Sequence, residues 1–181
     1  MRIRPAELAD LNACILLDGS YQTDHVWQME QREQDGEISI SFRQVALPRV
    51  VTVAYPAVDA ALVTHWQRGD CVLVAELDNE VLGFWDMSAL TDQGLGWVHH
   101  LVVARAYRRR GIGSALLRHG ARWAQANGLE RMIFVVQSKN HPGICFCQKF
   151  GFEFCGFSDR YFGNQDIALL FGRDLRTHAR P

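Results

Sequence analysis

Two closely spaced glycines lie where an apolar, strand-like segment passes into a helix. The segment 97–103 is followed by Arg-Arg-Arg-Gly-Ile-Gly at positions 108–113, and helical spacing then continues to about Asn127. The first backbone amides of a helix lack intrahelical partners and carry the positive end of the helix dipole, so they attract anions. Gly111 and Gly113 remove the side chains that would keep a ligand from this backbone. The spacing predicts a pyrophosphate site, although adjacent arginines are also typical of a solvated turn.

The spacing Arg-x-x-Gly-x-Gly matches neither the dinucleotide motif Gly-x-Gly-x-x-Gly nor a nucleotide P-loop. The formal net charge is −1, so the composition does not favour a nucleic acid or an anionic membrane as partner. Positive charge is concentrated at this junction instead, which suits a small polyanion. The clustered arginines are Arg105, Arg108, Arg109, Arg110, Arg118 and Arg122.

The chain of 181 residues predicts a single domain over 1–175 and a frayed tail over 176–181. The first five residues lack the apolar core of a signal peptide, and no run approaches the ~18 apolar residues of a membrane span. The five cysteines form no Cys-x-x-Cys pair and no Cys/His spacing typical of a metal site. We therefore expect a cytoplasmic protein without a metal.

The first half of the chain gives mixed signals. A short strand at residues 3–4 precedes a helix that begins near Pro5, and a second helix is predicted over residues 24–32, ending near Asp35-Gly36. Residues 38–42 and 50–55 alternate with period two, which predicts a hairpin across Leu47-Pro48. A short helix is expected over 58–68.

The second half reads more clearly. Residues 71–76 and 81–87 predict a hairpin, and strand 97–103, the glycine-rich helix and strand 131–136 follow. Pro142 suits the first turn of another helix, and two last strands fit 152–157 and 166–171. Hairpins followed by β-α-β-α-β predict an α/β (α+β) fold on a mixed sheet.

Three pieces at matching distances resemble the GNAT superfamily of N-acetyltransferases. They are the 101–103 strand, the Arg-x-x-Gly-x-Gly turn, and Asn140 ahead of Lys-Phe-Gly-Phe at 149–152. The similarity is concentrated in residues 70–157. Residues 98–103, 122–124 and 154–157 also resemble the streptothricin acetyltransferase-like branch of that superfamily. The resemblance implies a mostly antiparallel central sheet flanked by helices and splayed at an acetyl-CoA site.

The resemblance also implies which residues bind acetyl-CoA. The backbone of Leu101, Val102 and Val103 would hydrogen-bond the pantetheine arm like an added strand, and Asn140 would bind the same arm. Taken alone, Asn140 is equally typical of a turn after a strand. The pyrophosphate would rest on the turn and first helical residues, namely Arg108, Arg109, Arg110, Gly111, Ile112, Gly113 and Ser114.

The catalytic groups are less certain because this sequence departs from the pattern it resembles. Cys147 occupies the position of the usual tyrosine acid, and Tyr161, Tyr107 or water are the alternatives. His99 and His100 stand where the branch carries acidic residues, and either imidazole is a candidate base. Because neighbouring strand residues point to opposite faces, only one of the two is expected to face the substrate.

The implied activity is acetyl transfer from acetyl-CoA to a primary amine of a small molecule, by direct attack in a ternary complex. The alternatives are a protein amine as acceptor, or a silent domain that binds acyl-CoA without turnover. Homodimers are common among similar proteins, so one is possible here. The expected acceptor-binding residues are Tyr21, Asp24, His25, Trp27, Glu30, Trp85 and Asp86.

Overall fold

A computed structural model describes residues 1–56, 58 and 60–176, which form a seven-stranded sheet, a long two-stranded hairpin and four α-helices. The helices are α1 (Leu8–Leu16), α2 (Ala60–Gln67), α3 (Ile112–Ala126) and α4 (His141–Lys149). The strands are β1 (Arg2–Pro5), β2 (Tyr21–Gln34), β3 (Glu37–Val53), β4 (Cys71–Leu77), β5 (Glu80–Leu90), β6 (Leu95–Val103), β7 (Arg131–Gln137), β8 (Glu153–Ser158) and β9 (Ala168–Asp174). The mixed α/β architecture predicted from the sequence is confirmed.

The central sheet opens between its two middle strands. Its order is β1-β4-β5-β6-β7-β9-β8, and all neighbours pair antiparallel except β6 with β7. The parallel ladder joins Leu95–Val98 to Arg131–Phe134 and goes no further in the described chain. The remaining halves of β6 and β7 therefore diverge, and this is the splay that the resemblance implied.

Two hydrophobic cores pack on opposite faces of this sheet. Side chains of β4 alternate between them, because Leu73 and Ala75 join the core with α3 and α4 while Val72 and Val74 join the core with α1 and α2. Trp85 is fully buried in the first core. The first core contains Val98 of β6 and three residues of β7, whereas the second contains Val102 of β6.

The segment 21–53 differs most from the sequence prediction. The helix predicted over 24–32 is wrong, because this stretch belongs to β2, and residues 38–53 form one continuous strand, β3, rather than a hairpin. Asp35 and Gly36 both have positive φ, 51° and 83°, and form the tight turn between β2 and β3. Asp-Gly is a strong hairpin signal, which outweighed the weak helical spacing before it.

The other predicted elements agree with the structure within a few residues. The hairpin of β4 and β5, the helices α2, α3 and α4 and the strands β7, β8 and β9 all occur where the sequence placed them. None of the helices in the described residues is both long and apolar enough to cross a bilayer. The expected frayed tail falls almost wholly on 177–181, outside the described residues.

Candidate active site

A cavity of about 820 Å³ fills the opening between β6 and β7. It extends from the α3 N-terminus, past the divergent halves of the two strands, to the start of β2 and the residues after β3. Its described lining carries no Asp or Glu side chain. Its lining includes Tyr21, Tyr55, His99, His100, Phe134, Gln137, Cys147 and Phe162.

The α3 N-terminus opens onto the outer end of this cavity. Gly111 adopts φ 86° as the N-cap of α3, and no side chain among the described residues caps the helix there. The Gly111 carbonyl accepts an intrahelical hydrogen bond from the Ala115 amide at 3.0 Å. The amides of Ile112, Gly113 and Ser114 precede it and face a cavity that these residues line. This turn fits a pyrophosphate held by backbone donors and the helix dipole.

The three arginines before this turn have different environments. The Arg108 guanidinium donates to the backbone carbonyls of Val103 (2.8 Å), Ser20 (2.6 Å) and Asp18 (3.2 Å). Arg109 lines the cavity in the left-handed conformation, φ 63°. Arg110 lies over the Tyr107 ring, 5.5 Å from its centroid. Arg108 thus fastens the end of β6 to the chain after α1, and Arg109 is the freer charge for an anion.

The backbone groups expected to bind the pantetheine arm line the middle of the cavity. Leu101, Val102 and Val103 belong to the half of β6 that has no β7 partner in the described chain. Asn140 also lines the cavity, and its side-chain oxygen accepts from the Gly143 amide at 2.9 Å as the N-cap of α4. The structure thus shows the role of Asn140 in the turn, and its side-chain amide group also has donor hydrogens that a ligand in the cavity could use.

The two neighbouring histidines share one face of the sheet, contrary to the expectation that only one would face the substrate. The register between β5 and β6 shifts between Asp86 and Met87, because His100 pairs with Asp86 and Val98 with Met87. His99 is the extra residue of this bulge. Both imidazoles line the cavity, with ring centroids 6.5 Å apart.

The His99 ring rests on a polar cluster buried behind the cavity. Its Nε2 lies 2.7 Å from the Ser88 hydroxyl oxygen, and the ring stacks on His65 at 4.5 Å between centroids. His65 Nδ1 in turn lies 2.9 Å from the fully buried Asp86 carboxylate. Burial lowers the pKa of His99 to about 4, and the Asp86 charge offsets only part of this shift. His99 is therefore neutral near pH 7.

The lowered pKa of His99 predicts a pH-dependent stability. A histidine in the unfolded chain has a pKa near 6.5. Between pH 6.5 and 4, position 99 is therefore protonated in the unfolded chain but neutral in the folded protein. The stabilisation is present above pH 6.5 and is lost as the pH falls. We expect urea unfolding to show that His99 accounts for about 2 kcal/mol of the stability lost from about pH 7 to about pH 5. His99→Gln should show a correspondingly smaller loss, and an equal loss in both proteins would contradict this role.

His100 contacts a tyrosine that the sequence interpretation missed. Its Nδ1 lies 3.4 Å from the Tyr55 hydroxyl, and the two rings are 5.8 Å apart. Burial raises the pKa of Tyr55, and the neighbouring Leu101 backbone partly opposes that shift. Tyr55 follows β3, far from β6 in sequence, so no local pattern marks it as a site residue.

A second polar pair lines the opposite wall. The Tyr21 hydroxyl donates to the Gln137 side-chain oxygen at 3.0 Å, and the Gln137 amide donates to Asp166 at 3.0 Å. All three side chains are buried. This chain of hydrogen bonds joins the start of β2 to the end of β7. Tyr21 was among the expected acceptor residues, whereas Gln137 carried no recognisable signal.

The two residues first considered as catalytic acids differ in position. Cys147 lines the cavity but is only 1% exposed, and burial raises the pKa of its thiol. Tyr161 is 42% exposed and packs on Phe162, which lines the cavity while Tyr161 does not. Tyr107 lines the outer end beside the arginines.

The other six expected acceptor residues all lie outside the cavity lining. Trp85 is buried in the core against Phe134, and Asp86 supports His65. Glu30 pairs with Arg32 on the exposed part of the hairpin. Asp24, His25 and Trp27 lie on β2 beside α4, and the Trp27 amide donates to the Ser138 carbonyl at 2.8 Å.

Comparisons with known proteins agree with this geometry. Residues 41–152 match the model of the acetyltransferase (GNAT) family. The chain is 25% identical to streptothricin acetyltransferase of Streptomyces lavendulae over 164 residues, 88% of this chain and 85% of that protein.

Two solved structures share the fold over almost the whole chain. Nourseothricin acetyltransferase superposes with a TM-score of 0.82 and 23% identity, over 97% of this chain and 98% of the other. A Bacillus anthracis protein described as a streptothricin acetyltransferase, solved in complex with acetyl coenzyme A, gives a TM-score of 0.72 and 19% identity over 96% and 98% of the two chains.

Proposed function

Because the chain belongs to the acetyltransferase (GNAT) family and is an acetyl-CoA-dependent N-acetyltransferase, we propose that its cavity joins acetyl-CoA and a small primary amine in one ternary complex. The observation that carries this proposal is the continuous cavity of about 820 Å³, which connects the free α3 amides with the two histidines. Direct attack of the amine then needs no covalent enzyme intermediate. Acetyl-CoA supplies the activated acetyl group, and the protein orients both substrates and moves protons.

The cofactor half of the cavity is assigned to backbone donors. The amides of Ile112, Gly113 and Ser114 would hold the pyrophosphate, with Arg109 adding positive charge. The half of β6 that has no β7 partner among the described residues would bind the pantetheine amides as an added strand. This arrangement would direct the thioester toward the 101–103 half of β6, where a backbone N–H would stabilise the oxyanion.

The acceptor half suits a small amine with little additional positive charge. Tyr21, Tyr55, Phe134 and Phe162 supply aromatic faces, which attract one ammonium group by cation–π contact. No carboxylate among the described lining residues is available to pair with further charges. A polycation such as a streptothricin-type antibiotic is therefore a poorer acceptor in this proposal than a monoamine.

His100 is the proposed proton acceptor. His99 is a weak base, because its pKa is lowered to about 4. This corresponds to a proton affinity about 3 kcal/mol lower than that of an ordinary imidazole. His99 Nε2 is also engaged by Ser88. His100 lines the cavity, and its Nδ1 lies 3.4 Å from the Tyr55 hydroxyl oxygen. His99 then positions β6 at the bulge.

Cys147 is assigned to packing rather than to proton donation. Because burial raises the pKa of this thiol above that of an ordinary thiol, proton transfer from Cys147 to the CoA thiolate runs uphill. The thiolate would take its proton from water.

We expect Cys147→Ala to keep turnover within about threefold and to lower the melting temperature, through the loss of a buried side chain. A drop in kcat above about tenfold with unchanged acetyl-CoA affinity would return the acid role to Cys147.

The proposed function is tested by thiol release from acetyl-CoA with a panel of amines. The panel contains monoamines with an aromatic or alkyl body, a streptothricin, and a peptide with a free N-terminus. We expect saturable thiol release with monoamines and an acetylated amine in the product mass spectrum. Binding of acetyl-CoA without thiol release from any amine would instead favour a silent acyl-CoA-binding protein.

We further propose a single-domain cytoplasmic protein that forms homodimers through the β2–β3 hairpin. Phe42 of β3 packs on Phe154 and Phe157 of β8, and the same face continues as exposed Ile40 and Ile38. Sedimentation of the wild-type protein should give a dimer, and Ile38→Glu should shift it to a monomer. A wild-type monomer at about 100 µM would contradict this proposal.

A further inference from the structure

Three potential metal-binding side chains meet beside α4, and a cysteine lies next to one of them, although the sequence showed no metal spacing. Asp24, His25 and His141 each offer a ligand atom, and these atoms all lie within 4.8 Å of one another. Cys145 Sγ lies 3.5 Å from His141 Nε2. Of these four residues, only Cys145 borders the cavity. We propose that they form a Zn²⁺ site that fastens the β2–β3 hairpin to α4.

The backbone of β2 brings the first two ligands together. Neighbouring strand residues normally point to opposite faces, but the β2–β3 register shifts between Thr23 and His25. The buried Thr23 hydroxyl donates to the His25 carbonyl at 2.6 Å and holds this irregularity. As a result, Asp24 Oδ1 lies only 2.8 Å from His25 Nδ1.

The other two ligands come from one face of α4. His141 is its first residue and Cys145 lies four positions later, so the two side chains are neighbours on the helix surface. The His25 and His141 rings are 5.0 Å apart between centroids. The Trp27 amide to Ser138 carbonyl bond, 2.8 Å, fixes β2 against the turn before α4. The two pairs therefore face each other on anchored elements.

The donor set and spacing suit Zn²⁺. Two imidazoles, a carboxylate and a thiolate are its ordinary ligands, at about 2.0–2.3 Å from the ion. Tetrahedral ligands at those distances lie about 3.3–3.6 Å apart. The ligand atoms of Asp24, His25 and His141 lie within 4.8 Å of one another, and Cys145 Sγ is 3.5 Å from His141 Nε2. The Asp24 side chain is 63% exposed, which gives an ion access from solvent.

The test is calorimetric titration of EDTA-treated, dialysed protein with Zn²⁺, together with Co²⁺ absorption. We expect one ion per chain and at least about a tenfold loss of affinity in His25→Ala and in His141→Gln. His119→Ala, a histidine on α3 that bonds the Ala115 carbonyl, is the matched control and should bind normally. The Co²⁺ complex should show a thiolate charge-transfer band that Cys145→Ser removes.

An internal control comes from thiol alkylation. Cys145 and Cys155 are both exposed, so iodoacetamide should modify both in the metal-free protein. Zn²⁺ should protect Cys145 and leave Cys155 reactive. Melting temperatures without metal show whether each variant is folded, so a loss of binding is not mistaken for unfolding. Absent binding at about 100 µM Zn²⁺, or unchanged affinity in the His25→Ala/His141→Gln double variant, overturns the site.

Discussion

Gly111→Asp is expected to weaken acetyl-CoA binding by roughly 10- to 100-fold, about 1.4–2.7 kcal/mol, while the protein remains folded. The new carboxylate would stand at the N-cap of α3, against the pyrophosphate in the proposed complex. A Cβ at this position meets no atom within 4 Å, and aspartate tolerates the observed φ of 86° better than most residues. Repulsion between charges, rather than a steric clash, should therefore dominate.

Two matched variants separate charge from backbone strain. Gly111→Asn has nearly the same shape without the charge and should retain most of the affinity. Gly128→Asp places the same residue just beyond the other end of α3, at φ 75° and again in open space, outside the cavity lining. Calorimetry with acetyl-CoA should find Gly128→Asp close to wild type. Equal affinity in Gly111→Asp and wild type would remove the anion site, and a weaker effect at high salt would support it.

The elements predicted correctly are those whose evidence lies within a few residues. The α3 turn is an example, because the left-handed Gly111 and the uncapped first turn follow from local spacing. The hairpin of β4 and β5 and the entry to α4 at Pro142 are equally local. The part of the cavity lining that we assign to the cofactor, at 101–103 and 111–114, lies largely in such segments, so its secondary structure could be predicted from local spacing.

The features that were missed depend on contacts between distant segments or on a one-residue change in register. The helical spacing over 24–32 led to the wrong prediction of a helix there, although Asp35-Gly36 shortly after it is a hairpin signal. The bulge at His99 reverses the usual alternation of a strand, and only the pairing of β5 with β6 reveals it. Tyr55 reaches His100 across 45 positions, so the acceptor half could not be assembled from local patterns.

His100→Gln is expected to lower kcat/KM for the acceptor amine by roughly 100-fold or more, with little change in acetyl-CoA affinity. The acceptor amine must lose a proton as it attacks, and a free alkyl amine has a pKa near 10.4, like that of lysine. Glutamine retains a polar side chain that can contact Tyr55, but it cannot accept this proton at neutral pH. The measurement is thiol release at varied amine concentration, with calorimetry of acetyl-CoA as the binding readout.

His99→Gln is the matched control because it changes the adjacent residue on the same face. If His99 positions the bulge and His100 carries the proton, the His99 variant should lose about tenfold or less and keep the pH profile of the wild type. The His100 variant should instead flatten the acid limb of kcat/KM. Equal and mild losses in both variants would favour deprotonation by water. The larger loss in His99→Gln would instead assign the base to His99, whose ring rests on the buried cluster of Ser88, His65 and Asp86.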